Sequence, residues 1–169
     1  MILKITLISA LIISLLTDVR QRKILNIITF PSIIIAFTYY VIKFGFEGFV
    51  FSGKGFLVGF LLLLIPYLLG GMGAGDVKLM AAIGALMGTS FVFYSFIFTA
   101  LIGGLIGIAL IIRQKGFFMA LKTFLFNITV LKGNLGSIIF NKDNHSKISF
   151  PYGVAIVLGT FCTLIWGGF

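Results

Sequence analysis

The sequence predicts an all-α fold, a polytopic membrane helix bundle forming one domain over residues 1–169, and three observations carry that expectation. The chain is 60% apolar and only 10% charged, against about 25% charged residues in ordinary soluble domains. Apolar runs recur from end to end, so no soluble domain fits between them. Lysine and arginine are also shared unevenly between alternating connections, as in proteins with a cytoplasmic and an outer side. The net charge of +9 would point to nucleic acid in a soluble protein. In this chain, cations beside anionic lipid account for it, so the expected partner is the bilayer and not nucleic acid.

Residues 2–17 form the first crossing. The Asp18, Val19, Arg20, Gln21 sequence that follows offers no small-residue cleavage site, so the segment reads as a retained helix and not a signal peptide. At 1.5 Å per residue it is about 24 Å long, short of a hydrocarbon core of about 30 Å, which sets Asp18 at or just below the membrane surface. Residues 24–42 return, with Tyr39 and Tyr40 as interfacial anchors. Residues 43–54, with Glu47 and three glycines, read as a loop on the opposite side. Residues 55–70 cross a third time, with Pro66 expected to kink the helix.

Residues 77–88 are too short to span alone; either Gly88, Thr89 and Ser90 end a short fourth helix, or the helix runs a further turn through the aromatic stretch before reversing. Residues 91–112 are the clearest crossing. Residues 117–140 are punctuated by Lys122, Asn127, Lys132 and Asn134, which favours an amphipathic helix in the interface. Residues 148–166 make the sixth and last crossing, closed by Trp166. Glycines four apart, at 55 and 59, 84 and 88, and 103 and 107, are the spacing that lets helices touch backbone to backbone.

With six crossings, Arg20, Arg22, Lys23, Lys78, Arg113, Lys115, Lys122, Lys132, Lys142 and Lys147 share one side, and Lys4, Lys43 and Lys54 the other. The positive-inside rule then puts both termini outside and the richer face in the cytoplasm. Asp18 and Asp76 both belong to that cytoplasmic face.

One stretch stands out chemically. Gly70 to Met80 reads GGMGAGDVKLM, with Gly73 and Gly75 crowding up to Asp76, one of four carboxylates in the chain. Glycines let another chain pass close to the backbone, so the stretch reads as an open approach to an acid. An ionisable residue between long apolar runs is a functional-site hypothesis by default. Each aspartate also has a structural explanation, Asp76 as a helix N-cap and Asp18 as a surface partner of Arg20 or Arg22. Two carboxylates close together in a partly dry site share a proton, one serving as base and the other as acid. Such a pair can activate water against a peptide bond with no metal and no cofactor. A single cysteine and a single histidine leave little from which to build a metal site; Cys162 reads as core packing, and His145 is given no role.

These residues resemble the type IV prepilin peptidases, membrane aspartic proteases that include the preflagellin peptidases. Gly73, Ala74, Gly75, Asp76, Val77, Lys78 and Leu79 match the GxGD motif and its continuation. Asp18, Val19 and Arg20 through Ile24, Leu25 and Asn26 resemble the first-aspartate motif, with Leu25 where the family often has proline. Phe150, Pro151, Tyr152 and Gly153 resemble a late proline-glycine element. The resemblance implies that Asp18 and Asp76 are the catalytic pair and that Gly73 and Gly75 form the active-site loop. It makes Lys78 a candidate for tuning the pair or touching substrate. It further implies cleavage of the basic leader of a prepilin-like or preflagellin-like precursor at the cytoplasmic face. The chain is similar to a short form, without the paired-cysteine segment of bifunctional members that also methylate. The alternative is a proton-coupled transporter or ion pathway using the same two acids.

Overall fold

The computed structural model describes residues 2–21, 24–115 and 152–167, with 110–115 by backbone only. The proposed interfacial helix at 117–140 and His145 lie outside the described residues. The chain divides into two compact units, Met1–Gly103 with Pro151–Phe169, and Gly104–Phe150. All the side chains discussed below belong to the first unit.

The fold is all-helical, with five helices and no strand among the described residues: α1 (Ile2–Gln21), α2 (Asn26–Leu68), α3 (Ala74–Met87), α4 (Thr89–Lys115) and α5 (Tyr152–Trp166). Three of them, α1, α2 and α4 up to Ala109, are long and apolar enough to cross a membrane. On α1, Leu7, Ala10, Leu11, Ser14 and Asp18 recur every three or four residues on one buried face. Ile5, Ile12, Ile13, Leu16 and Val19 stay exposed on the other faces. A helix apolar all round, with only one face packed in protein, suits a lipid surrounding. It runs on to Gln21 and reaches about 30 Å, so Asp18 sits inside its last turn.

The 43 residues of α2 would extend about 65 Å as a straight rod. They do not, because Gly45 adopts φ 58 and ψ −133 and breaks the run. Such a dihedral pair favours glycine. Phe37 and Phe56 then meet at 6.4 Å between ring centroids, and Tyr40 and Phe51 at 4.9 Å. Contacts between residues so far apart in one rod require the arms 26–44 and 46–68 to lie antiparallel. The loop expected over 43–54 is therefore a correction: the chain reverses at a single glycine and is helical on both sides. The Tyr40 hydroxyl donates to the Leu86 carbonyl at 3.2 Å and ties the hairpin to α3. Pro66 stays within helical backbone, and its carbonyl accepts the Gly71 N–H at 3.0 Å.

Helix α3 occupies the centre. Every residue from Asp76 to Leu86 except Lys78 is buried, and the small ones let the second arm of α2 come close. A Cβ on Gly55 would strike the Gly84 carbonyl, and one on Gly59 the Met80 carbonyl. The hydroxyl of Ser52 donates to the Ala85 carbonyl at 3.0 Å on the same seam. At Gly88, with φ 88, α3 stops and α4 begins, which is the first of the two alternatives the sequence leaves open. Helix α5 joins through Ser95 and Thr160, whose hydroxyls lie 2.8 Å apart, and through Gly159 packed on Thr99. Cys162 is exposed, not a core residue, because the buried stripe of α5 runs through Ile156, Gly159, Thr160 and Thr163.

Candidate active site

Three helix ends converge here: the last turn of α1 with Asp18, the first turn of α3 with Asp76, and the first turn of α5 with Gly153. Both aspartates are buried, Asp18 4% and Asp76 8% exposed. Asp76 is not the N-cap; that position is Gly73, and Asp76 stands three residues further in. Its Oδ2 accepts the Gly73 N–H at 3.0 Å, and its own N–H donates to the Gly73 carbonyl at 3.1 Å. This is the carboxylate half of a capping box. One oxygen of Asp76 is occupied in ordering the helix start, and the structural and chemical readings of the residue hold together.

Gly75 stands in the first turn of α3, close to Ile24. A Cβ there would come within 2.9 Å of the Ile24 Cβ and 3.1 Å of the Ile24 carbonyl oxygen. Its missing side chain therefore admits Ile24, two residues before the start of α2. Gly73 faces the Asp76 carboxylate, with a Cβ position 3.3 Å from Oδ2.

Asp76 lies on α3, outside the three long apolar helices. Burial, opposed by the Gly73 hydrogen bond and reinforced by the nearby Asp18 charge, pushes its carboxyl up to about 6. The Asp18 charge acts on it from 58 positions away in the chain. Asp18 is held differently. The backbone amides of Gly153 and Val154 are directed at its carboxyl group, while its buried Oδ2 has no hydrogen-bond partner. Arg20 and Arg22 are not needed to explain a carboxylate so enclosed.

Lys78 donates to Asn26 Oδ1 at 2.9 Å, and its ammonium lies 5.6 Å from the Phe30 ring centroid. Its contacts tie α3 to the start of α2, joining two of the motifs noted in the sequence. Among the described residues no three His, Cys, Asp or Glu side chains cluster as metal ligands would. Sequence reasoning gave no role to Gly153 or Asn26, although both stand in the quoted motifs. Their partners, Asp18 and Lys78, are far away in sequence, and only folding makes the pairs visible.

A profile of the type IV leader peptidase family matches residues 5–108, well over half of the chain. The chain belongs to the type IV leader peptidase family. It is 33% identical over 114 residues to the prepilin leader peptidase/N-methyltransferase of Bacillus subtilis (strain 168), covering 66% of this chain and 45% of that protein. The chain thus spans less than half the length of that relative. No solved structure matches it. The matched segment contains α1 from Ile5 onward and all of α2 and α3, hence both aspartates and the glycine stretch. Family membership and three long apolar helices make this a membrane protein of the leader peptidase type.

Proposed function

We propose that the protein is a membrane-embedded aspartic endopeptidase that removes the basic leader of prepilin-like or preflagellin-like precursors, with Asp18 and Asp76 as its catalytic residues. The observation that carries this is the burial of two carboxylates, one in the last turn of α1 and one in the first turn of α3, in a member of a leader peptidase family.

In the reaction, the ionised carboxylate of the pair takes a proton from water as the water oxygen bonds to the scissile carbonyl carbon. The protonated carboxyl donates a hydrogen bond to the oxygen that gains negative charge. Collapse of the tetrahedral species breaks the C–N bond, and the leaving amine takes up the proton removed from water. Neither a metal nor a cofactor enters this scheme. Six crossings, an interfacial helix within 117–140, both termini outside and a cytoplasmic site complete the proposal, supported by the charge distribution along the chain. A cytoplasmic site faces a leader before its apolar segment has crossed the bilayer. No observation favours the transporter alternative.

The test is cleavage of a co-expressed prepilin-like precursor. Asp18→Asn and Asp76→Asn are each expected to reduce processing by at least about 10²–10⁴-fold, the range of an acid or base contribution, with membrane insertion unchanged. Full processing by either variant would sink the two-aspartate mechanism.

A further inference from the structure

The end of an α-helix is a poor place for a buried carboxylate. Asp18 occupies the last turn of α1, where unsatisfied carbonyls make the dipole negative. The first turn of α5 supplies the opposite. Tyr152, Gly153 and Val154 open that helix, whose leading amides have no partner within it. The amides of Gly153 and Val154 face the Asp18 carboxyl.

Two further observations tie Gly153 to this one side chain. Gly153 is buried, and a Cβ built on it would lie 2.5 Å from Asp18 Oδ2, 2.8 Å from Cγ and 3.1 Å from Cβ. All three nearest atoms belong to Asp18. Asp18 Oδ2 is itself enclosed and without a hydrogen-bond partner, so packing against the α5 backbone restricts its orientation.

We propose that the first turn of α5 is the third component of the active site, with Gly153 a positioning residue whose bare backbone holds the Asp18 carboxyl group in its working orientation. The inference rests on the proposed roles of Asp18 and Asp76. Any side chain at 153 displaces the carboxyl group. A displacement of about 1 Å costs on the order of 10²-fold in rate without touching the surfaces that bind substrate.

The experiment uses the full chain in detergent micelles and compares wild type, Gly153→Ala, Asp18→Ala and the double variant. Gly153→Ala is expected to lower kcat about 100-fold at unchanged KM. It should also lower the thermal midpoint by roughly 2–10 °C, as overpacking does in a protein of this size. Once Asp18→Ala has removed the Cγ and Oδ2 that the new methyl group would strike, adding Gly153→Ala should cost no further stability. Leu158→Ala, exposed on the same helix, should keep wild-type kcat. Wild-type kcat in Gly153→Ala overturns the proposal, and so does an equal thermal loss in the Asp18→Ala background. If Gly153→Ala fails to insert, the double variant should insert as Asp18→Ala does, and its failure also overturns the proposal. The thermal cycle needs no substrate. Were it to close as expected while Asp18→Asn still cleaved fully, the contact would stand and the two-aspartate mechanism would be what fails.

Discussion

Asp76 carries a stability signature that can be read without a substrate. Its carboxyl titrates near about 6 in the fold against 3.8 in an unstructured chain, so the native state holds the extra proton between those values. Stability then decreases as the unfolded state gives up its proton first. The thermal midpoint should fall as pH rises from about 4 to about 6 and level off above, and Asp76→Asn should flatten that slope. A wild-type midpoint that rises over this window would contradict the burial argument. Lys78 belongs to the same scale but to another kind of contact. Its bond to Asn26 is partly solvated, so Lys78→Met should cost about 1 kcal/mol and less than tenfold in processing. Asn26→Ala added to it should cost almost nothing more, because the two residues share one interaction. A Lys78→Met loss as large as that of Asp76→Asn would instead place the ammonium in the chemistry.

Among the elements, the seam between the second arm of α2 and α3 is set by backbone contact. Gly84→Ala should cost about 1–3 kcal/mol of stability, since its methyl group meets the Gly55 carbonyl and neither backbone can yield cheaply. Gly53→Ala, whose nearest neighbour would be Phe37 Cε1 at 3.9 Å, should be neutral or gain about 0.5–1 kcal/mol from helix propensity. Thermal unfolding of the purified variants separates the two. Glycine spacing made this seam legible in the sequence, because few things other than close packing ask for glycines four apart between apolar runs. The reversal at Gly45 was not legible. Glycines and charged residues spread over 43–54 describe a loop equally well, and the deciding contacts, Phe37 with Phe56 and Tyr40 with Phe51, are tertiary. Asp76 was similarly half-read: its place beside a helix start was visible, whereas its position inside the first turn depends on Gly73 acting as the cap.

For the whole molecule, the proposed orientation makes a direct prediction. In a Cys162→Ser background, single cysteines at 47 and 145 should react with a membrane-impermeant thiol reagent from outside and from the cytoplasm, respectively. The reverse pattern would overturn the charge argument. Cys162 is exposed, so its replacement by serine opens no core cavity. Burial of Asp18 and Asp76 at helix ends was foreshadowed at this scale, because each stands in the sequence at the edge of an apolar run. The third wall was not, because nothing in Phe150 to Gly153 states which residue its backbone will face. The α2 hairpin finally explains how two acids so distant in sequence come level. Asp18 precedes its first arm and Asp76 follows its second, so the arms act as a gauge, each residue counting for about 1.5 Å. The separation of the acids is therefore set by helix length. One added turn in a single arm would carry them about 5.4 Å out of register while leaving every local motif intact.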